Sequence, residues 1–134
     1  MIKEIQGLHH ITSMASNASV NNAFFTKTLG LRRVKKTVNF DAPEVYHLYY
    51  GDEIGTPGSI MTYFPFAKMS PGQRGAGEVS ITEFAVPKDA LGFWKERLSA
   101  LGVSSLIESS FLGEKRLSFD GPDGDSFALV ESDV

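Results

Sequence analysis

The second half of this chain repeats the pattern of the first, and that repeat constrains the fold more than any other feature of the sequence. His10-Ile11-Thr12-Ser13-Met14-Ala15 matches Ser80-Ile81-Thr82-Glu83-Phe84-Ala85. Phe25-Thr26-Lys27-Thr28-Leu29-Gly30 matches the stretch from Trp94 to Gly102, allowing a short insertion. Single matches of this length arise by chance. Two of them, in order and within the same expected elements, point to a duplicated supersecondary unit.

Each copy reads as βαβββ. In the first, Leu8 to Ala15 alternates as a strand, with Leu8, His10, Thr12 and Met14 on one face and His9, Ile11, Ser13 and Ala15 on the other. Asn17 caps a helix running to Leu29, Val20, Phe24 and Phe25 supply an apolar stripe, and Gly30 closes it. Leu31 to Phe40, Val45 to Tyr50 and Ser59 to Phe64 are the remaining strands, separated by Asp41-Ala42-Pro43 and by the loop 51–58. The second copy has a strand from Glu78 to Val86 and a helix from Asp89 to Leu101, with Leu91, Trp94, Leu98 and Leu101 on one stripe. Strands at Val103 to Phe111, Lys115 to Phe119 and Ser126 to Glu131 follow, with Gly121-Pro122-Asp123-Gly124 as a turn. One unit alone exposes an apolar sheet face and needs another to cover it. The expected fold is α+β: two βαβββ modules forming an eight-stranded curved, partly open barrel-like sheet with helices outside. It makes a single domain over 1–134, with module 1 at 1–66, a linker at 67–77 and module 2 at 78–134.

Composition narrows the function. A net charge of −3 and a pI of about 5.6 give no electrostatic case for nucleic-acid binding. No apolar run approaches a membrane span, and Glu4 interrupts what would be the core of a signal peptide. The expected setting is the cytoplasm. With no cysteine there is no disulfide, thiolate metal site or cysteine nucleophile. The glycine-rich stretches 55–58 and 72–77 lack the strand-to-helix context of a phosphate loop. No serine stands in a nucleophile elbow.

Chemistry then falls to the three histidines. Imidazole is the commonest metal ligand, and alternation sends His9 and His10 to opposite faces. One of the two therefore faces inward. His47 sits in an aromatic strand, where it lines a cavity or touches metal. Tyr46, Tyr49, Tyr50, Tyr63, Phe64 and Phe66 suit an aromatic pocket, although alternation admits only some of them to one face. Thr12, Tyr49, Thr62 and Phe64 are candidate substrate-binding residues, and Arg74 could meet an anionic substrate. Arg32, Arg33, Lys35 and Lys36 read as a solvated strand edge.

Over its whole length this pattern resembles the vicinal oxygen chelate superfamily, which includes glyoxalase I, fosfomycin and bleomycin resistance proteins and extradiol dioxygenases. Gly7 to Thr12, Leu29 to Asp41 and Tyr46 to Asp52 are similar to the N-terminal half of ring-cleaving dioxygenases of the hydroquinone-resistance type. Those proteins are usually about twice as long, and the match is to their first paired-module domain. The resemblance implies a divalent metal, often Fe(II), that a catecholic or hydroquinone-type substrate chelates through two neighbouring oxygens. His10 matches the family's first-strand ligand, which implies that it is the histidine facing inward. His9 is then expected to pack toward the helix and bond to backbone. The second ligand position falls on Ser80, a poor ligand. The third, a glutamate in the pattern Pro-Asp-Gly-x-x-x-Glu, falls on Ala128 after an intact Pro122-Asp123-Gly124. Glu131 and Glu83 have the wrong parity to replace them and are expected to be solvent-facing charges. The missing ligands would come from another domain or subunit, and a homodimer is expected. The leading expectation is an extradiol dioxygenase-like enzyme for a small aromatic substrate. The alternatives are a metal-free, bleomycin-resistance-like binding module and a glyoxalase-like isomerase or lyase.

Overall fold

The computed structural model describes residues 4–133; residues 1–3 and 134, at the two ends of the expected modules, lie outside the described residues. The chain divides into two compact units, Met1–Ser70 and Pro71–Val134. Each is an α+β unit built on a four-stranded mixed sheet.

The first unit contains β1 (His10–Ala15), α1 (Ala18–Ala23), β2 (Arg32–Val38), β3 (Tyr46–Gly51) and β4 (Ile60–Pro65), with sheet order β1-β4-β3-β2. The β1–β4 pair is parallel, with Thr12 opposite Thr62 and Met14 opposite Phe64. The other pairs are antiparallel, with Tyr49 opposite Thr62. Asn17 caps α1 as expected, its side chain accepting from the Val20 N–H at 3.0 Å. The helix is not uniform to Leu29. From Phe24 to Thr28 it widens into a π turn, with the Leu29 N–H bonded to the Phe24 carbonyl at 3.0 Å. The adjacent Phe24 and Phe25 are both buried there. Phe25 stacks on Tyr50 with centroids 4.8 Å apart and lies 5.1 Å from Tyr63. Tyr50, Tyr63, Leu48, Met61 and Ala15 therefore form the core beneath the helix.

The second unit contains β5 (Thr82–Val86), α2 (Leu91–Ala100), β6 (Ile107–Phe111), β7 (Glu114–Asp120) and β8 (Ser126–Glu131), in the order β5-β8-β7-β6. It repeats the first unit's topology, with β5 and β8 parallel. Its core is Leu98 against Leu117, Phe119, Phe127 and Leu129. Two strands of this unit are shorter than the sequence suggests, as are β1 and β2 of the first, expected over Leu8 to Ala15 and Leu31 to Phe40. β5 starts at Thr82 rather than Glu78, and β6 at Ile107 rather than Val103. Gly77 and Ser105, both at positive φ, turn the backbone in the segments before them. Along α2, Leu91 and Leu98 are buried as expected, but Leu101 is half exposed because the helix has ended at Ala100. The helix starts at Leu91 rather than at Asp89, and its N-cap residue, Ala90, makes no side-chain cap bond. The Glu131 carboxylate instead accepts from the Leu91 N–H at 3.4 Å.

No helix among the described residues is long and apolar enough to cross a membrane.

Candidate functional site

Alternation and register gather the sequence candidates of the first unit on one side of its sheet. His10, Thr12 and Met14 of β1, Thr62 and Phe64 of β4, and His47 and Tyr49 of β3 all point away from α1. Tyr50 and Tyr63, also considered for an aromatic pocket, point the other way and belong to the core.

Four of these residues are linked. Thr12 Oγ1 and Thr62 Oγ1 are 2.8 Å apart. Thr62 Oγ1 lies 3.0 Å from His47 Nε2, and the Tyr49 hydroxyl 3.0 Å from His47 Nδ1. The Phe64 ring stacks on the His47 ring at 4.0 Å and 29°. Thr62 is completely buried, whereas Thr12 is exposed. Burial holds the His47 imidazole below its ordinary pKa, and the nearby His10 and Lys35 charges push in the same direction. His47 is therefore a neutral imidazole near pH 7, with both nitrogens engaged by hydroxyls. Lys35, which the sequence suggests is merely a solvated edge charge, sits 5.3 Å from the centre of the Tyr49 ring. A register shift between Arg33 and Lys35 brings Lys35 opposite Tyr49.

His10 stands at the start of β1 and is exposed. His9 does not pack toward the helix. Its Nδ1 lies 3.1 Å from His10 Nδ1 and its ring meets the His10 ring edge-on. Strict alternation begins only at His10, where the strand begins, so it does not govern His9. The His9 backbone carbonyl accepts from the Gly58 N–H at 2.7 Å.

In the second unit the parity differs from the one inferred from the repeat. Phe84 lies ring to ring with Phe127 on the α2 side, and Lys95 of α2 binds Glu108 on that same side at 2.8 Å. Glu83 pairs across β5–β8 with Ala128, so both lie on the face away from α2. Thr82 and Phe84 thus face their helix while Thr12 and Met14 face away from theirs, and the sequence match is one residue out of step with the sheets. Glu83 is not a simple solvent-facing charge. It accepts from Arg116 Nη1 at 2.6 Å, and Arg116 also reaches Glu114 at 3.8 Å and lies 5.0 Å from the Phe111 ring. Arg116 carried no sequence signal, because only the strand register brings it to Glu83. Glu131 faces the α2 side, as its bond to the Leu91 N–H requires. Ser80 lies before β5, its carbonyl accepting from Arg74 at 3.3 Å. Arg74 itself clamps loops, donating to the Gly124 carbonyl at 2.8 Å and to Ser126 Oγ at 3.0 Å.

These residues do not by themselves fit a metal ion. Among the described residues no three His, Cys, Asp or Glu side chains come together. His47 would have to give up a hydroxyl, Glu83 is paired with Arg116, and Ala128 has no donor.

No family model matches the chain. It is 48% identical over 126 residues to the "Putative ring-cleaving dioxygenase MhqE" of Bacillus subtilis, covering 94% of the chain and 41% of that protein. It is 40% identical over 135 residues to the chlorohydroquinone/hydroquinone 1,2-dioxygenase of Sphingobium indicum, covering 98% of the chain and 42% of that protein. A crystal structure named as a putative dioxygenase of B. subtilis superposes with TM-score 0.93 at 43% identity, covering 98% of the chain and 42% of the other. A glyoxalase family protein of Enterococcus faecalis shares the fold at TM-score 0.73 and 21% identity, with 94% of the chain and 98% of that protein covered. The chain spans about two fifths of the length of the curated relatives it matches.

Proposed function

We propose, for a chain whose relatives and fold are those of the vicinal oxygen chelate superfamily, that it is one paired-module domain of a ring-cleaving dioxygenase-type protein. It takes a small catecholic or hydroquinone-type aromatic at the helix-free face of the first unit. The observation that carries this reading is the convergence of His10, Thr12, His47, Tyr49, Thr62 and Phe64 on that face, in a chain 40–48% identical to proteins named for that chemistry. Phe64 and Tyr49 offer aromatic surface, and Thr12 offers an exposed hydroxyl to a phenolic oxygen. His10 is the residue that would serve as a ligand to a divalent metal, with Fe(II) the expected ion. Its companion ligands come from outside this chain, in a further domain or a second copy of a homodimer. A cytoplasmic setting and a single domain over 1–134 go with this reading.

Elemental analysis of the anaerobically purified protein, in the assembly that supplies those companion ligands, tests the metal. About one ion per site in the wild type, and none in His10→Ala, supports the enzyme. No metal in the wild type, or equal metal in both, refutes it. The second reading, a metal-free module that binds a small aromatic, is favoured by the absence of a three-ligand cluster among the described residues. It predicts hydroquinone binding that His10→Ala leaves unchanged.

A further inference from the structure

The polar groups on the helix-free face of the first unit form one continuous chain, from Thr12 through Thr62 and His47 to Tyr49. A hydroxyl has one proton to give, and a neutral imidazole has one N–H and one lone pair. Every link can therefore be made in only two concerted ways. In one direction the Tyr49 O–H donates to His47 Nδ1, Nε2–H donates to Thr62, and Thr62 donates to Thr12. The Thr12 O–H is then left pointing outward as a donor. In the other direction Thr12 donates to Thr62 and Thr62 to Nε2. The Nδ1–H then donates to the Tyr49 oxygen, and Thr12 offers a lone pair outward.

We propose that this chain is a proton relay by which the face accepts a phenolic ligand and removes its hydroxyl proton. The proposal rests on the reading of this face as a phenol-binding surface. The step balances. A neutral phenol donates to Thr12 with the chain in the second direction. Its proton passes to Thr12, the Thr12 proton to Thr62, and the Thr62 proton to His47 Nε2. The Nδ1 proton passes to the Tyr49 oxygen, and the Tyr49 hydroxyl proton leaves to solvent water. The O–H bond of the ligand breaks and one water gains a proton. The phenolate now accepts from Thr12, with the chain in the first direction and every protein group neutral as before.

The surroundings suit that role. Thr62, at the middle, is completely buried, so its hydroxyl has only protein partners. His47 is held neutral by burial and covered by the Phe64 ring, so charge does not rest on it. Thr12 is exposed and His47 and Tyr49 are half-buried, so the chain opens to the surface on either side of the buried Thr62. Thr12 is the group that touches the ligand; Thr62, His47 and Tyr49 act through it.

The test uses the whole chain with nitrogen-15 in its histidines and 4-nitrophenol as probe, its visible absorbance reporting ionisation. The His47 nitrogen signals report which nitrogen carries the proton. On binding of 4-nitrophenolate, His47 should move toward the Nε2–H form, the tautomer ratio changing by about two- to tenfold, the worth of one hydrogen bond. The bound probe should be more ionised than the free probe at the same pH. Thr62→Ser should keep both effects; Thr62→Val and Tyr49→Phe should lose the excess ionisation while still binding. Probe binding that leaves the wild-type His47 signals unchanged overturns the relay and spares the phenol-binding reading. No binding of the probe to the wild type overturns that reading and the relay together.

Discussion

At Tyr50 the ring and the hydroxyl pull in opposite directions. The ring is stacked on Phe25 and fully buried. The hydroxyl is buried with it and has no hydrogen-bond partner. Burial pushes its pKa up to about 12, against a smaller opposing effect of Arg33. An unpaired buried hydroxyl costs about 1–3 kcal/mol, so Tyr50→Phe should leave the unfolding free energy unchanged or raise it by about 1 kcal/mol. The alkaline side has a definite sign. Between about 10, the unfolded value, and about 12 the folded state holds a proton that the unfolded state has lost, so stability falls as pH rises. Denaturation followed over that range should show a shallower fall in Tyr50→Phe. His47 behaves in the opposite way. Its folded pKa lies below the ordinary 6.5, so near pH 6 the unfolded state binds more protons. The His47 contribution is complete above about 6.5 and is lost as pH falls through the lowered folded value. Urea unfolding across that window should show a smaller acid loss for His47→Gln than for the wild type; equal losses would remove the assignment.

At the scale of elements, short devices hold the sheets and helices in place. Asn17 satisfies one of the free N–H groups of a six-residue helix that has little stability of its own. Asn17→Ala should cost about 1 kcal/mol, measured as a fall in the chemical denaturation midpoint. In the second unit the Arg116–Glu83 pair joins β7 to β5 across the intervening β8. Arg116 is 13% exposed and Glu83 40%, so it is the arginine that suffers when the pair is broken. Glu83→Gln should therefore destabilise more than Lys95→Gln, which breaks the exposed Lys95–Glu108 pair. Equal midpoints for the two variants would show that the half-buried Arg116–Glu83 pair contributes no more than the exposed one.

At the scale of the whole molecule, a single domain requires that the two compact units unfold as one. Trp94 is the only tryptophan, and it belongs to the second unit, so its fluorescence reports that unit. Phe25 is completely buried in the first, and Phe25→Ala should cost about 3–5 kcal/mol there. The single-domain reading predicts that the circular dichroism and Trp94 fluorescence midpoints fall together in this variant. A fluorescence midpoint that stays at the wild-type value while the other falls would mean two independent units.

Much of the molecule was legible in its residues. Alternation within an unbroken strand is a local property, so Thr12 and His10 could be placed on one face before any partner was known. The Asn17 cap and the βαβββ order are local in the same sense, resting on neighbours a few residues away. What lay between strands was not. Parity resets in every loop, and the match between His10–Ala15 and Ser80–Ala85 carried no information about where β5 begins. Pairing in the sheet decided that Glu83, not Ser80, shares a face with Ala128. The meeting of Thr62 with Thr12 and His47 likewise depends on register between strands about fifty and fifteen residues apart along the chain. The sequence by itself determined the repeated unit, its class and the histidine strand. The tertiary structure decided which side chains touch, because a hydrogen bond is fixed to a few tenths of an ångström by long-range register that no local pattern encodes.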